Sequence, residues 1–180
     1  MKPLALSLIA LLLMSCSASG SWRDANRASA GLAPEPDAYP GAVVQVYAAD
    51  AWGWRGWFAV HTWIAVKRAA DDSYTVYDVV GWRQRWGGSV VGAREDVPDR
   101  HWYGAEPELL VDLRDDEAES VIGKIEQAVV DYPWPEQYRV FPGPNSNTFV
   151  AWVGNQVPEL QLDMPFTAIG SGYASRGESP

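Results

Sequence analysis

Residues 58–67 read FAVHTWIAVK, and their alternation puts Val60, Thr62, Ile64 and Val66 on one face of an extended chain and Ala59, His61, Trp63 and Ala65 on the other. This is the pattern of a strand. After a polar turn at 68–73, the run YTVYDVVGW at 74–82 supplies a hairpin partner. Upstream, GAVVQVYA at 41–48 predicts a first strand, and 108–113 a further short one. From 115 to 131 the period changes: Ala118, Val121, Ile122, Ile125, Ala128 and Val129 recur at helical spacing. Asp115 or Asp116 can cap this helix, Glu117 and Glu119 suit its positive end, and Pro133 and Pro135 stop it. A second helix opens at Asn145–Asn147 and runs to about Gln156, with Phe149, Val150, Val153 and Val157 inward and Pro158 beyond. The fold class expected is α+β, a small antiparallel sheet with two main helices. The domain covers 41–173 and leaves 174–180 as a disordered tail.

The chain start reads differently. Behind Lys2, residues 4–14 are apolar except for Ser7, too short a run for a stable bilayer anchor but fitting a secretory leader. Leu13-Met14-Ser15-Cys16 resembles the lipobox of bacterial lipoprotein leaders, in which the cysteine becomes the lipidated first residue of the mature chain. The single cysteine of the sequence stands at that position. The expectation is a leader at 1–15 and a flexible tether at 16–40, rich in Ser, Ala, Gly and Pro. The protein would be lipid-anchored in the bacterial cell envelope. By the same resemblance, Ser17 after the cysteine favours the outer membrane, facing the periplasm if the organism has two membranes.

Composition narrows the partners. The 180 residues are 47% hydrophobic and 21% charged, in keeping with one domain and little else. A net charge of −9 argues against nucleic acid, whose binding needs phosphate neutralisation by Lys and Arg. One cysteine excludes an intrachain disulfide and any multi-thiolate metal cluster, and the two histidines have no ligand spacing around them. No metal or cofactor is expected. Ten tryptophans exceed what a generic core requires. Trp52, Trp54, Trp57, Trp82 and Trp86 fall in two glycine-bearing loops beside the hairpin, together with Arg83 and Arg85. Such faces can hold sugar rings or acyl chains while guanidinium groups pair with anions; the same tryptophans could instead cover the sheet as a minicore.

Two segments could carry chemistry. His61 sits on an apolar strand, as a core histidine or as a base, whereas His101 lies in the polar stretch DRHWYG and is expected at the surface. In FPGPNSNTFV at 141–150, Asn145, Ser146 and Asn147 compete as caps at a helix start. Free N–H groups at such a start also stabilise developing negative charge.

Together, HTWIAVK and the distant NSNTFV resemble the circularly permuted papain-like superfamily, which includes NlpC-type peptidases and the lecithin–retinol acyltransferase group. Its members show a His on a strand, a polar residue on the next, and Asn-Cys-x-x-Phe at a helix start. The resemblance implies Ser146 at the nucleophile position, where the family has a thiol, with His61 as base and Asn145 and Asn147 positioning substrate or an oxyanion. The third member would be Asp78, or Tyr77 if the hairpin register slips by one. Over 41–173, the segments HTWIAVK, YDVVGW, PGPNSNTFV and PELQLDMPFTAIG more closely resemble the uncharacterised domain-of-unknown-function family numbered 3750, which brings no activity. The function expected is an envelope hydrolase or acyltransferase acting on an amide or ester of peptidoglycan or lipid. If serine marks a lost thiol, the alternative is an inactive binding module for an envelope glycan, peptide or lipid.

Overall fold

The computed structural model describes residues 21–177; the leader, Cys16 and the first residues of the expected tether lie outside them. Five strands, β1 (Val43–Asp50), β2 (Val60–Lys67), β3 (Thr75–Val79), β4 (Val91–Glu95) and β5 (Glu108–Arg114), form one sheet in the order β4-β3-β2-β1-β5. All the pairings are antiparallel. Two helices follow, α1 (Asp115–Val130) and α2 (Ser146–Gln156). The architecture is α+β.

Both faces of the sheet are covered, so its central strands are apolar on both sides. Val44, Val46, Ile64, Val66, Tyr77 and Val79 pack against α1 and α2. Ile122, Ile125, Phe149 and Val153 fill that layer and are fully buried; each such side chain is worth about 1.5–3 kcal/mol of transfer free energy. The opposite face carries Val43, Tyr47, Trp63, Ala65 and Val76, and Trp102 lies over it.

The helical stripe read from the sequence is the buried side of α1, through Ala118, Val121, Ile122, Ile125 and Ala128. Its cap differs from the expectation. Arg114 occupies the N-cap and its side chain makes no capping bond, and Asp115 lies inside the first turn with a φ of 51°. In α2 the cap is Asn145, whose side chain accepts from the backbone N–H groups of Asn147 and Thr148, while Thr148 Oγ1 accepts from the Asn145 N–H. This reciprocal pairing satisfies donors that would otherwise be orphaned at the helix start.

Three departures matter. Strand β4 was not read from the sequence, because it is a short, half-buried edge strand interrupted by Gly92. The stretch expected to be a tether is docked from Ser29 onward, where Ser29 Oγ and the N–H groups of Leu32 and Ala33 donate to the Asp99 carboxylate at 2.6–3.2 Å. Order also continues past 173, in a 3-10 turn over Ser171–Gly177 with Ala174 buried. Among the described residues, no helix is long and apolar enough to cross a membrane.

The strand order places the β1–β2 and β3–β4 connections at the same end of the sheet. Each folds into a 3-10 turn, Gly53–Trp57 and Gly81–Trp86, carrying the loop tryptophans. The start of α2 lies at this end too, through contacts with the beginning of β2.

Candidate functional site

The start of α2 is a hydrogen-bonded clasp. Asn145 Nδ2 donates to the carbonyls of Val140 and Ile169, both at 3.0 Å. Asn147 Nδ2 donates to the carbonyls of Val60 and Ile169, again at 3.0 Å. The Thr62 hydroxyl donates to Asn147 Oδ1 at 3.1 Å, with the Ser146 carbonyl at 3.3 Å, and the Thr148 hydroxyl donates to the Gly170 carbonyl at 2.7 Å. Both donors of each amide are occupied, so neither side chain is free to bind an oxyanion. Gly170 completes the clasp. Its φ is +96°, and a Cβ there would fall 2.3 Å from Asn145 Nδ2.

His61 is on the other side of the strand. Neighbours on a strand point to opposite faces, and Thr62 is the residue that meets the α2 start. The His61 ring lies flat on Trp102, with centroids 3.6 Å apart and planes within 10°, and beyond it is Trp63 at 5.9 Å. Its Nε2 is buried without a hydrogen-bond partner among the described residues. Burial pushes the imidazole pKa down to about 3, and Arg100, Arg94 and Arg83 push the same way against Asp78. The ring is neutral at any physiological pH.

Asp78 does share the His61 face. The β2–β3 register pairs Ile64 with Tyr77 and Ala65 with Val76, so Tyr77 turns to the helices and Asp78 to the aromatic side. Asp78 is, however, committed to arginines. Arg83 and Arg94 donate to its Oδ1 at 2.8 and 2.9 Å, Arg94 also reaches Oδ2 at 3.1 Å, and Arg100 stands at 3.6 Å. Burial alone would raise the carboxyl, but the Arg94 hydrogen bonds and the Arg94 and Arg83 charges hold it below its ordinary range. Asp96 joins through Arg94 and Arg100, leaving three cations against two carboxylates. Arg83 reaches Asp78 only because Gly92, opposite Asp78 on β4, has no side chain; a Cβ there would lie 2.2 Å from the guanidinium.

The structure therefore brings together His61 and Asp78, and separately Asn145, Ser146 and Asn147, with β2 between the two groups. Ser146 is buried in the first turn of α2, and the bonds around it run through Thr62, Asn145, Asn147 and Thr148. Among the expected ligand-binding aromatics, Trp52 and Trp82 pack on Tyr103 at 5.6 and 6.1 Å, and Trp82 also stacks on Trp102. Trp54, Trp57 and Trp86 project outward, as does Arg85. His101 is half-buried, its Nδ1 2.9 Å from the Ala28 carbonyl.

Sequence reasoning missed Thr62, Arg94, Arg100 and Trp102. Alternation marks Thr62 as a polar residue on an otherwise apolar face, which was a usable signal. Arg94, Asp96 and Arg100 carry no motif, and only the fold gathers them around Asp78.

No curated protein and no solved structure matches the chain. The family model described as Protein of unknown function (DUF3750) matches residues 41–173, from just before β1 to the segment after α2 that closes the clasp, and the chain belongs to that family.

Proposed function

We propose that this protein is an inactive, envelope-anchored binding module for lipid or glycan. The observation that carries this reading is the position of His61, stacked on Trp102 on the face of β2 away from α2, with its basicity suppressed by burial. A serine hydroxyl needs a base within hydrogen-bond reach, directly or through one water, to become a nucleophile. Here the segment following Val60 offers the α2 start a threonine, and the two asparagines that could have held an oxyanion are spent on backbone carbonyls. The order of parts, a histidine strand and later a helix opening on Asn145-Ser146, supports a permuted papain-like ancestry in which the reactive centre has become a structural clasp.

Incubation of the purified protein with a fluorophosphonate probe tests this. The expected result is no covalent adduct on either the native chain or Ser146→Ala. An adduct on the native chain that Ser146→Ala abolishes would overturn the reading and restore Ser146 as a nucleophile.

A further inference from the structure

Among the described residues, nothing covers the end of the sheet that carries the tryptophan loops. Trp57 and Trp86 are 90% and 86% exposed, and Trp54 and Phe58 beside them are also open. Phe166 is 97% exposed; it precedes Thr167, whose carbonyl accepts from the N–H of Val60 at the start of β2. Phe141 is exposed on the segment that the clasp ties to the same place through Val140. Large apolar side chains from four separate segments thus emerge at one end of one sheet. Solitary exposed hydrophobics need no explanation, but a convergent set of this size marks an interaction surface.

Charge identifies the partner. The two loops, 51–59 and 81–90, contain Arg55, Arg83 and Arg85 and no acidic residue, and Arg139 stands near Phe141. Asp50 touches the first loop, Glu136 borders the second through the bond from Gln84 to its carbonyl, and Arg83 is paired with Asp78. The unpaired excess is therefore Arg55, Arg85 and Arg139 over two carboxylates, in a chain that is at −9 as a whole. Tryptophan and arginine side by side suit the boundary where acyl chains meet anionic head groups. A symmetric contact with a second copy would set these arginines against one another. The described grooves, about 410 Å³ beside Pro34 and Tyr74 and about 330 Å³ beside α1, involve none of these side chains. The surface is therefore built of projecting side chains, outside both of these grooves.

The chain path points the same way. Arg27 lies over the ring of Tyr103 at 4.5 Å, and Tyr103 packs against Trp52 and Trp82. The first described residues thus reach the aromatic end. Cys16 precedes Ser21 by five residues, a reach of at most about 18 Å fully extended.

We infer that this end is a membrane-docking surface, which lays the domain directly on the lipid bilayer that holds its acylated Cys16, with Trp54, Trp57, Trp86, Phe141 and Phe166 entering the interface and Arg55 and Arg85 meeting anionic head groups. The inference deepens the binding-module reading and rests on it.

The test uses the full lipidated protein in phosphatidylethanolamine–phosphatidylglycerol vesicles made with ordinary or brominated acyl chains, with intrinsic tryptophan emission as readout. Native protein is expected to lose emission on brominated vesicles. The Phe141→Asp/Phe166→Asp variant, which keeps every tryptophan and alters only exposed sites, should lose that quenching, and Arg85→Gln should weaken it on anionic vesicles. Equal emission on both vesicle types, or quenching that the Asp variant leaves unchanged, overturns the inference. So would absent quenching accompanied by Trp57-dependent retention on peptidoglycan or by self-association. Failure of the binding-module reading is read separately, as a fluorophosphonate adduct on Ser146.

Discussion

His61 and Trp102 are stacked ring on ring at 3.6 Å, and the contact holds the imidazole as an aromatic plate in a place where water cannot solvate its charge. Its folded pKa, about 3, is below the ordinary 6.5. The unfolded chain therefore binds the extra proton first, and stability falls as pH drops from about 6.5 toward 3, with a limiting slope of about 1.4 kcal/mol per pH unit from this one group. Replacing the ring with His61→Phe keeps the stack and removes both the titration and the unpartnered Nε2. Urea unfolding at pH 7 should show no loss of stability, and the decline between pH 6.5 and 4 should be shallower than in the native chain. An unchanged acid slope would contradict the assignment.

Arg83 needs the bare backbone of Gly92 to reach Asp78. Gly92→Ala is expected to displace the guanidinium and cost about 1.5–3 kcal/mol, the range for a hydrogen bond to a charged partner. In an Arg83→Ala background the same substitution should cost little, because no guanidinium remains to displace. A double-mutant cycle reads the difference directly. Additive losses would mean that Gly92 matters for another reason.

Gly170 is tested against Gly172, two residues on. An added methyl at Gly172 meets open space, whereas at Gly170 it strikes the Asn145 amide in a backbone conformation with φ of +96°. Gly170→Ala should lower stability by roughly 1–3 kcal/mol, and Gly172→Ala should change it far less. Thermal melts of the two variants decide the matter; equal midpoints would show that the clasp does not depend on close approach at 170.

At the chain start, Cys16→Ala should eliminate acyl incorporation. Intact-protein mass spectrometry of the membrane-extracted protein is expected to find fatty acyl mass on the native chain, beginning at residue 16, and none on the variant. Acyl mass that survives the substitution would remove the lipobox reading.

Much of the fold was written in local pattern. The run at 60–67 became β2, buried on both faces, and the helical stripe of α1 became a buried helix face because its spacing admits one way of hiding its apolar side. Strand β4 escaped because Gly92 and Arg94 serve Asp78 rather than a hydrophobic face. Alternation also placed Asp78 beside His61, given the hairpin register. It could not say which face of β2 the second helix would cover. That is a tertiary choice, and it separates His61 from Ser146. The Asn-Ser-Asn-Thr segment was legible as a helix start, yet its partners at Val60, Ile169 and Gly170 are distant in sequence and invisible to spacing.

Those distances have a consequence for how the molecule is made. The asparagine clasp joins β2 to residues 169–170, so more than half the chain separates the parts that it ties together. Closure of loops this long is entropically costly and slows folding. A polypeptide emerging from its N-terminus can pair the early strands at once, but Asn145 and Asn147 have no carbonyl at 169 to donate to until more than twenty further residues have followed them. A chain that stops short of 169 can hold all five strands and still leave Asn145, Asn147 and Thr148 without the carbonyls of Ile169 and Gly170, so the helix start closes only after the sheet is already built.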